Sequence, residues 1–255
     1  MKLNVLMSTM DNNYNFFIRK NIFSKCIIVN QNNLDKKETL EDHIELFNSK
    51  SKGLSSSRNI AISNMSGDIG LIADNDVVYI DGYQEIILNA FKKYSEYDII
   101  TFQVKTPEGT LFNNYPDKIS KHNLLTIMKV CSIEIAFKKE SLNKIKLRFD
   151  ENFGLGSTFP TGEEAIFLSE ALKKNLKILY LPIPIVIHPK ESSGSNYTEK
   201  LIMSKGAMLY RIFGKKGYIV AIIFTLKKYK CSQFNFIHFY NLMIKGIKKY
   251  KEIYL

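Results

Sequence analysis

The sequence predicts an α/β protein: a mostly parallel central sheet flanked by helices, then a helical, basic C-terminal extension. Three observations carry this. Short, nearly continuous apolar runs recur through the first two-thirds, separated by stretches of helical spacing, as in parallel strands buried on both faces. Beyond about residue 197 the apolar residues keep helical spacing to the end. Charge divides along the same line: residues 201–255 hold eleven Lys/Arg against one acid, Glu252, a net of +10, while residues 1–200 hold 25 basic and 24 acidic groups.

Taken in order, Leu3–Met7 is a first strand, Asn15–Ile22 has helical character and Cys26–Asn30 is a β-branched second strand. Leu40, Ile44 and Phe47 stand at helical spacing, which predicts a helix over Leu40–Phe47. Ser55–Met65 reads as a helix after Gly53. The pair Gly67-Asp68 marks a turn into a third strand, Ile69–Ala73. Gln84–Tyr94 is a helix, Asp98–Phe102 a fourth strand and Pro107–Gly109 a turn. Ile133–Phe137 reads as a strand, Glu140–Lys144 as a helical turn and Phe149–Thr161 as a loop. Gly162–Lys174 is a helix with acids in its first turn, where its dipole favours them. Two short strands, Ile178–Leu181 and Ile185–Ile187, lead to His188, and Glu191–Asn196 is a polar loop. The organisation is a body over 1–196, dividing near residue 103, and a helical region over 197–255.

Composition narrows the function. With 45% hydrophobic and 24% charged residues the chain builds an ordinary core. Cys26, Cys131 and Cys231 are odd in number and far apart, so no disulfide framework or zinc knuckle is expected, and reduced, cytoplasmic thiols are. The longest clear apolar run, Tyr218–Leu226, is about half the roughly 18 residues of a membrane span. Met1–Met10 is too short for a signal peptide. A body this evenly charged is not built to grip nucleic acid.

In parallel sheets ligands bind at the carboxyl ends of the strands, which singles out Ser8-Thr9, Asn30-Gln31 and Asp74-Asn75-Asp76. Two carboxylates one residue apart at a strand end suit a hard divalent cation; the competing reading is a solvated, Asp-capped turn. Gly53–Asn59 puts a glycine, three serines and Arg58 at a helix start, either a phosphate cradle or ordinary capping. Of Glu163 and Glu164, adjacent at a helix start, one can face a cleft as a general base; in isolation such acids are more often surface groups. His188 at a strand end offers a metal ligand or a structural imidazole. His43, His122 and His238 show no evident partner, and no GxxxxGK[ST], GxSxG or HExxH motif occurs.

In their order and spacing these pieces resemble the family 2 glycosyltransferases of the GT-A, Rossmann-like fold. The resemblance runs over about residues 3–190: Ser8-Thr9, then Gly53, Ser55, Arg58 and Asn59, then Gly67-Asp68 and Asp74-Asn75-Asp76. It continues with Phe149-Asp150-Glu151-Asn152-Phe153, Gly154-Leu155-Gly156, Gly162-Glu163-Glu164 and His188. It implies transfer of a sugar from a nucleotide diphosphate, most commonly a UDP-sugar, to a hydroxyl of a glycan or lipid-linked acceptor. It also implies Mn²⁺ or Mg²⁺ and a single displacement with inversion. Asp76 matches the metal ligand, with Asp74 and His188 beside it. Ser8, Thr9, Asn30, Asp74 and Asn75 fall on the donor side, and Arg58 matches a diphosphate contact. The base is expected at Glu164, where the family usually carries Asp, so Glu163 stays in reserve. Asn30-Gln31-Asn32 replaces the paired aspartates with which many members read the base.

From Phe234 the apolar residues recur at Ile237, Tyr240, Met243, Ile247, Tyr250 and Tyr254, with lysines between. That pattern fits either a peripheral helix on an anionic membrane, here the inner face, or a helix packed on the body or in a homodimer. The competing functions are a nucleotidyltransferase, disfavoured because Met7–Phe16 lacks glycine, and a non-catalytic module acting through its basic tail.

Overall fold

A computed structural model describes residues 1–11, 22, 24–189 and 197–255. The expected helix over Asn15–Ile22 and the loop Glu191–Asn196 therefore fall almost wholly outside the described residues.

Among the described residues one sheet of ten strands organises the body. Its strands are β1 (Leu3–Thr9), β2 (Lys25–Gln31), β3 (Lys36–Glu41), β4 (Ile44–Ser49), β5 (Ile69–Asp74), β6 (Val78–Tyr79), β7 (Ile99–Lys105), β8 (Ser120–Lys121), β9 (Ile135–Lys138) and β10 (Ile178–Ile187). Nine run in the order β3-β4-β2-β1-β5-β9-β7-β10-β6, and β8 pairs with β10. Six of the ten, β1, β2, β4, β5, β7 and β10, point the same way, so the expected mostly parallel sheet is present. β9 enters antiparallel between β5 and β7. The division expected near residue 103 falls inside β7.

Residues of β1 alternate between two cores. Leu3, Val5 and Met7 join Ile87 and Phe91 of α2 (Tyr83–Lys93) on one face. Leu6 joins Ala61 and Ile62 of α1 (Leu54–Asn64) on the other, together with Leu142 of α3 (Lys139–Lys144) and Phe167 of α4 (Glu163–Lys173). The near-continuous apolar strands follow from being covered on both sides.

Two expectations are corrected. Leu40–Phe47 is a β-hairpin, not a helix: β3 and β4 pair antiparallel through a tight turn at Asp42-His43. Ile44 and Leu46 point inward while Glu45 and Phe47 are half-buried on the opposite side, a period of two that the i, i+4, i+7 coincidence of Leu40, Ile44 and Phe47 conceals. The two short strands before His188 are one strand, β10, which shifts register around Pro184, where proline has no N–H to offer the ladder.

The C-terminal region is helical as expected: α5 (Glu199–Phe213), α6 (Gly217–Lys228) and α7 (Phe236–Tyr254). The α5–α7 crossing is close because two glycines permit it. A Cβ on Gly206 would lie 2.1 Å from the Met243 carbonyl oxygen, and one on Gly246 would lie 1.9 Å from that of Met203. Phe239, Leu242, Met243, Ile247 and Tyr250 of α7 are buried in this core, so most of its apolar face is spent on the protein itself.

Candidate functional site

The carboxyl ends of β4, β2, β1 and β5 set polar residues side by side through register alone. Asn48 pairs with Asn30, Asn30 with Thr9, and Ser8 with Asp74. Thr9 Oγ1 accepts from Asn75 Nδ2 at 3.2 Å and from the Asp11 N–H at 3.0 Å. Asn30 is fully buried. Ser8 Oγ is buried with no hydrogen-bond partner among the described residues.

Arg58 lies at the centre of a charged cluster. It comes from α1, is 1% exposed and stacks over the Phe149 ring at 5.4 Å. Its Nη2 meets Asp74 Oδ1 at 3.2 Å; its Nη1 meets Glu163 Oε1 at 3.2 Å and Glu164 Oε1 at 3.5 Å. Among the described residues its Nε has no partner. One guanidinium thus faces three carboxylates, and the surplus negative charge suits a cation or a held proton. Burial, with the Glu164 charge second, pushes the Glu163 carboxyl up to about 8. Glu163 is 6% exposed at its side chain and Glu164 is 21% exposed, so Glu164 is the carboxylate open to a substrate.

Two sequence expectations change here. Arg58 does not offer its fork outward: both Nη groups are turned to carboxylates, which draw them in because a buried guanidinium needs countercharge. The start of α1 is not an open phosphate cradle. The Leu54 N–H donates to the Leu155 carbonyl at 2.9 Å, the Ser55 hydroxyl to the Phe153 carbonyl at 2.6 Å, and the Gly53 N–H to Gln31 Oε1 at 2.7 Å. Ser55, Ser56 and Ser57 are buried, Ser55 against Gly154. Asn59 completes the closure: its amide donates to the Phe149 carbonyl at 3.0 Å while its Oδ1 accepts the Phe149 N–H at 2.8 Å.

Asp76 and His188 meet at the edge, His188 Nε2 lying 3.2 Å from Asp76 Oδ2. Their hydrogen bond raises the His188 pKa. The ring is packed edge-on against Phe112 at 5.5 Å. Asp74 does not join them: Arg58 takes its Oδ1, and the Ser132 hydroxyl donates to its Oδ2 at 3.1 Å. Among the described residues no three His, Cys, Asp or Glu side chains converge as an ion site. An exposed carboxylate beside an imidazole fits a Mn²⁺ or Mg²⁺ ion as two ligands, leaving the remaining positions to water or phosphate oxygens. Of the expected set, Asp76 and His188 are in direct contact, while Asp74 acts on His188 through its charge.

The sequence reading missed several neighbours. Ser132, on the turn before β9, fixes Asp74. Lys205 of α5 reaches in with Nζ 3.4 Å from Thr161 Oγ1. Burial lowers its pKa, with Glu164 and then Glu163 pulling the other way. Glu134 is buried, accepts from the Tyr115 hydroxyl at 2.7 Å, and is pushed up to about 8 by desolvation. Spacing gave no sign of Lys205, which sits in a helix read only as tail. The histidines without evident partners find them: His122 with Thr101 and Thr126, His238 with Glu199 and His43 with Glu41.

The sequence pattern of Glycosyl transferase family 2 matches residues 25–176, more than half of the chain. The chain belongs to that family. Solved structures give the same architecture. The 1–349 fragment of S. aureus TarS superimposes with a TM-score of 0.59 at 12% identity, covering 100% of this chain and 73% of that one. The same fragment in complex with UDP-GlcNAc gives 0.61 at 12% identity, over 99% of this chain and 92% of that one. S. aureus TarS itself gives 0.58 at 14% identity, over 88% of this chain and 43% of that one. Identities this low speak to fold alone: this family 2 glycosyltransferase has the GT-A architecture expected of it. No curated protein sequence matches the chain. No helix among the described residues is long and apolar enough to cross a membrane.

Proposed function

We propose that this family 2 glycosyltransferase moves a sugar from a nucleotide diphosphate, with a UDP-sugar the first candidate, to a hydroxyl of a glycan or lipid-linked acceptor, inverting the anomeric centre. The observation that carries the reading is Arg58. Its guanidinium bonds Asp74, one residue removed from Asp76 of the Asp76–His188 pair, and also Glu164, the accessible carboxylate. Donor-side and acceptor-side groups are thus held in one rigid frame.

In this reading Ser8, Thr9 and Asn75 line the nucleoside end of the donor, with the buried Asn30 beside Thr9 in the sheet behind them. Amides and hydroxyls both donate and accept, so they suit a base edge without acidic residues. Asp76 and His188 would hold Mn²⁺ or Mg²⁺, which when bound supplies charge to offset a leaving diphosphate. Glu164 takes the proton of the acceptor hydroxyl as it attacks the anomeric carbon. Glu163, more buried and carrying its proton to higher pH, stays behind it. Arg58 acts as a positioning residue for the carboxylates rather than as a diphosphate contact.

The experiment is thermal unfolding of the full chain with UDP, GDP, CDP and dTDP, each with and without Mn²⁺. A ligand at about 100 times its Kd adds about 2.7 kcal/mol. One nucleotide giving a metal-dependent rise in Tm that Asp76→Ala abolishes supports the reading. In turnover, Glu164→Gln is expected to lower kcat by roughly 100-fold or more with donor binding kept. No rise with any nucleotide, or a product retaining the donor's anomeric configuration, overturns it.

A further inference from the structure

α6 carries apolar residues on two sides. The residues it buries completely are small, Gly217, Ala221 and Thr225, and Tyr218, Val220 and Phe224 pack partly buried against the same core. A Cβ on Gly217 would lie 2.8 Å from the Leu209 carbonyl oxygen, so this contact is backbone to backbone. Its large aliphatic residues face outward: Ile219 is 62% exposed, Ile222 39%, Ile223 48% and Leu226 59%. At 100° per residue these four fall within an arc of about 100°. A soluble helix ordinarily places such residues inward. Exposed lysines bracket the stripe, Lys215 and Lys216 before it and Lys227, Lys228 and Lys230 after it.

The geometry points to this face of α6 as the surface that docks on an anionic lipid bilayer, with the aliphatic stripe entering the acyl boundary and the lysines meeting the headgroups. Charge decides the occupant. Between residues 199 and 252 there is no acidic residue. A second copy seated face to face would set lysine against lysine with nothing on the helix to pair them, whereas an anionic headgroup layer pairs them all. With no helix among the described residues able to cross a membrane, the stripe can lie in the interface but not span it. This moves the lipid contact from α7, whose apolar face is spent on α5, to α6, the longest apolar run of the sequence. It does not depend on the donor-site reading.

The test is co-sedimentation of the full chain with phosphatidylcholine vesicles, with and without phosphatidylglycerol. The unmodified chain is expected to sediment with the anionic vesicles and to be released by salt. The Ile219→Ser/Ile223→Ser double variant, changed only at exposed positions, should lose at least about tenfold in partition while keeping its Tm. Lys227→Glu/Lys228→Glu should lose roughly fivefold per lysine. Ile237→Ser, 70% exposed on α7, should bind as the unmodified chain does. The proposal is overturned if the unmodified chain ignores anionic vesicles or the double variant binds them equally well. It is also overturned if the double variant converts a dimer to a monomer in sedimentation velocity, which would assign the face to a second copy.

Discussion

The Arg58 cluster and the α5–α7 crossing are both buried, and opposite means hold them. At Arg58 a buried guanidinium lies within 3.5 Å of three carboxylates, of which Glu163 is buried with it and Asp74 and Glu164 are partly exposed. At the crossing the close contact itself is uncharged, with the exposed Glu199–His238 pair only at its edge; Gly206 and Gly246 let each backbone rest on the other. Buried ion clusters are poor investments for stability, because desolvation offsets most of the Coulomb attraction. Close backbone packing carries no such cost and gains dispersion contact over the whole crossing. The difference teaches where the molecule tolerates an expensive arrangement: beside the accessible carboxylate and the Asp76–His188 pair, and not in the helices behind them.

The largest effect should come from breaking the charged side of the comparison. Arg58→Met leaves three carboxylates without countercharge and should cost about 3–5 kcal/mol in urea unfolding at neutral pH. A cost under about 1 kcal/mol would mean that the carboxylates neutralise one another by protonation. On the other side, Gly246→Ala forces a Cβ into the Met203 carbonyl and should cost about 3 kcal/mol. If the C-terminal helices then melt in a separate transition, the crossing holds the tail rather than the whole.

Glu163→Gln sharpens the contrast through pH. The folded carboxyl titrates near 8 and the unfolded one near 4.5, so the native chain loses stability as pH rises from about 4.5 to about 8. The amide keeps an acceptor for Arg58 and escapes that loss. The variant should match the native chain near pH 4 and exceed it by about 1–2 kcal/mol above pH 8. Equal stability at both ends would mean that Arg58 already compensates the charge. The smallest effect belongs to His122, whose pKa burial lowers to about 4. A folded pKa below the unfolded 6.5 contributes stability that is present above 6.5 and lost as pH falls toward 4. Replacing it with Asn should flatten the profile in that window by about 1 kcal/mol.

The strands β1, β2, β5, β7, β9 and β10, the helices α1, α2 and α4 and the strand-end residues were legible because burial on both faces writes uninterrupted apolar runs and because ligand positions follow from strand ends, whereas the two-residue strands β6 and β8 are too short to leave a pattern. The hairpin at residues 36–49 was not, because three apolar residues at accidental helical spacing outweighed a short alternation. Arg58, Glu163 and Glu164 were each singled out but their contact was not: the two acids lie about 105 residues from the arginine, and no local pattern reports contact at that range. The inward face of α6 hid for a related reason. Periodicity says which residues share a side but not which side faces the protein, and here Gly217, Ala221 and Thr225 do, flanked by Tyr218 and Phe224, while Ile219, Ile222, Ile223 and Leu226 do not.

The closure of α1 by the Gly154–Gly156 loop also bears on how the chain is made. The first N–H of α1 waits for a carbonyl at residue 155, and Asn59 waits for Phe149. A nascent chain that has emerged only through β7 therefore carries a helix with no cap and a charged arginine with no Glu163 or Glu164. During synthesis the ligand-binding edge is the last part of the body to become whole, although most of its residues leave the ribosome first.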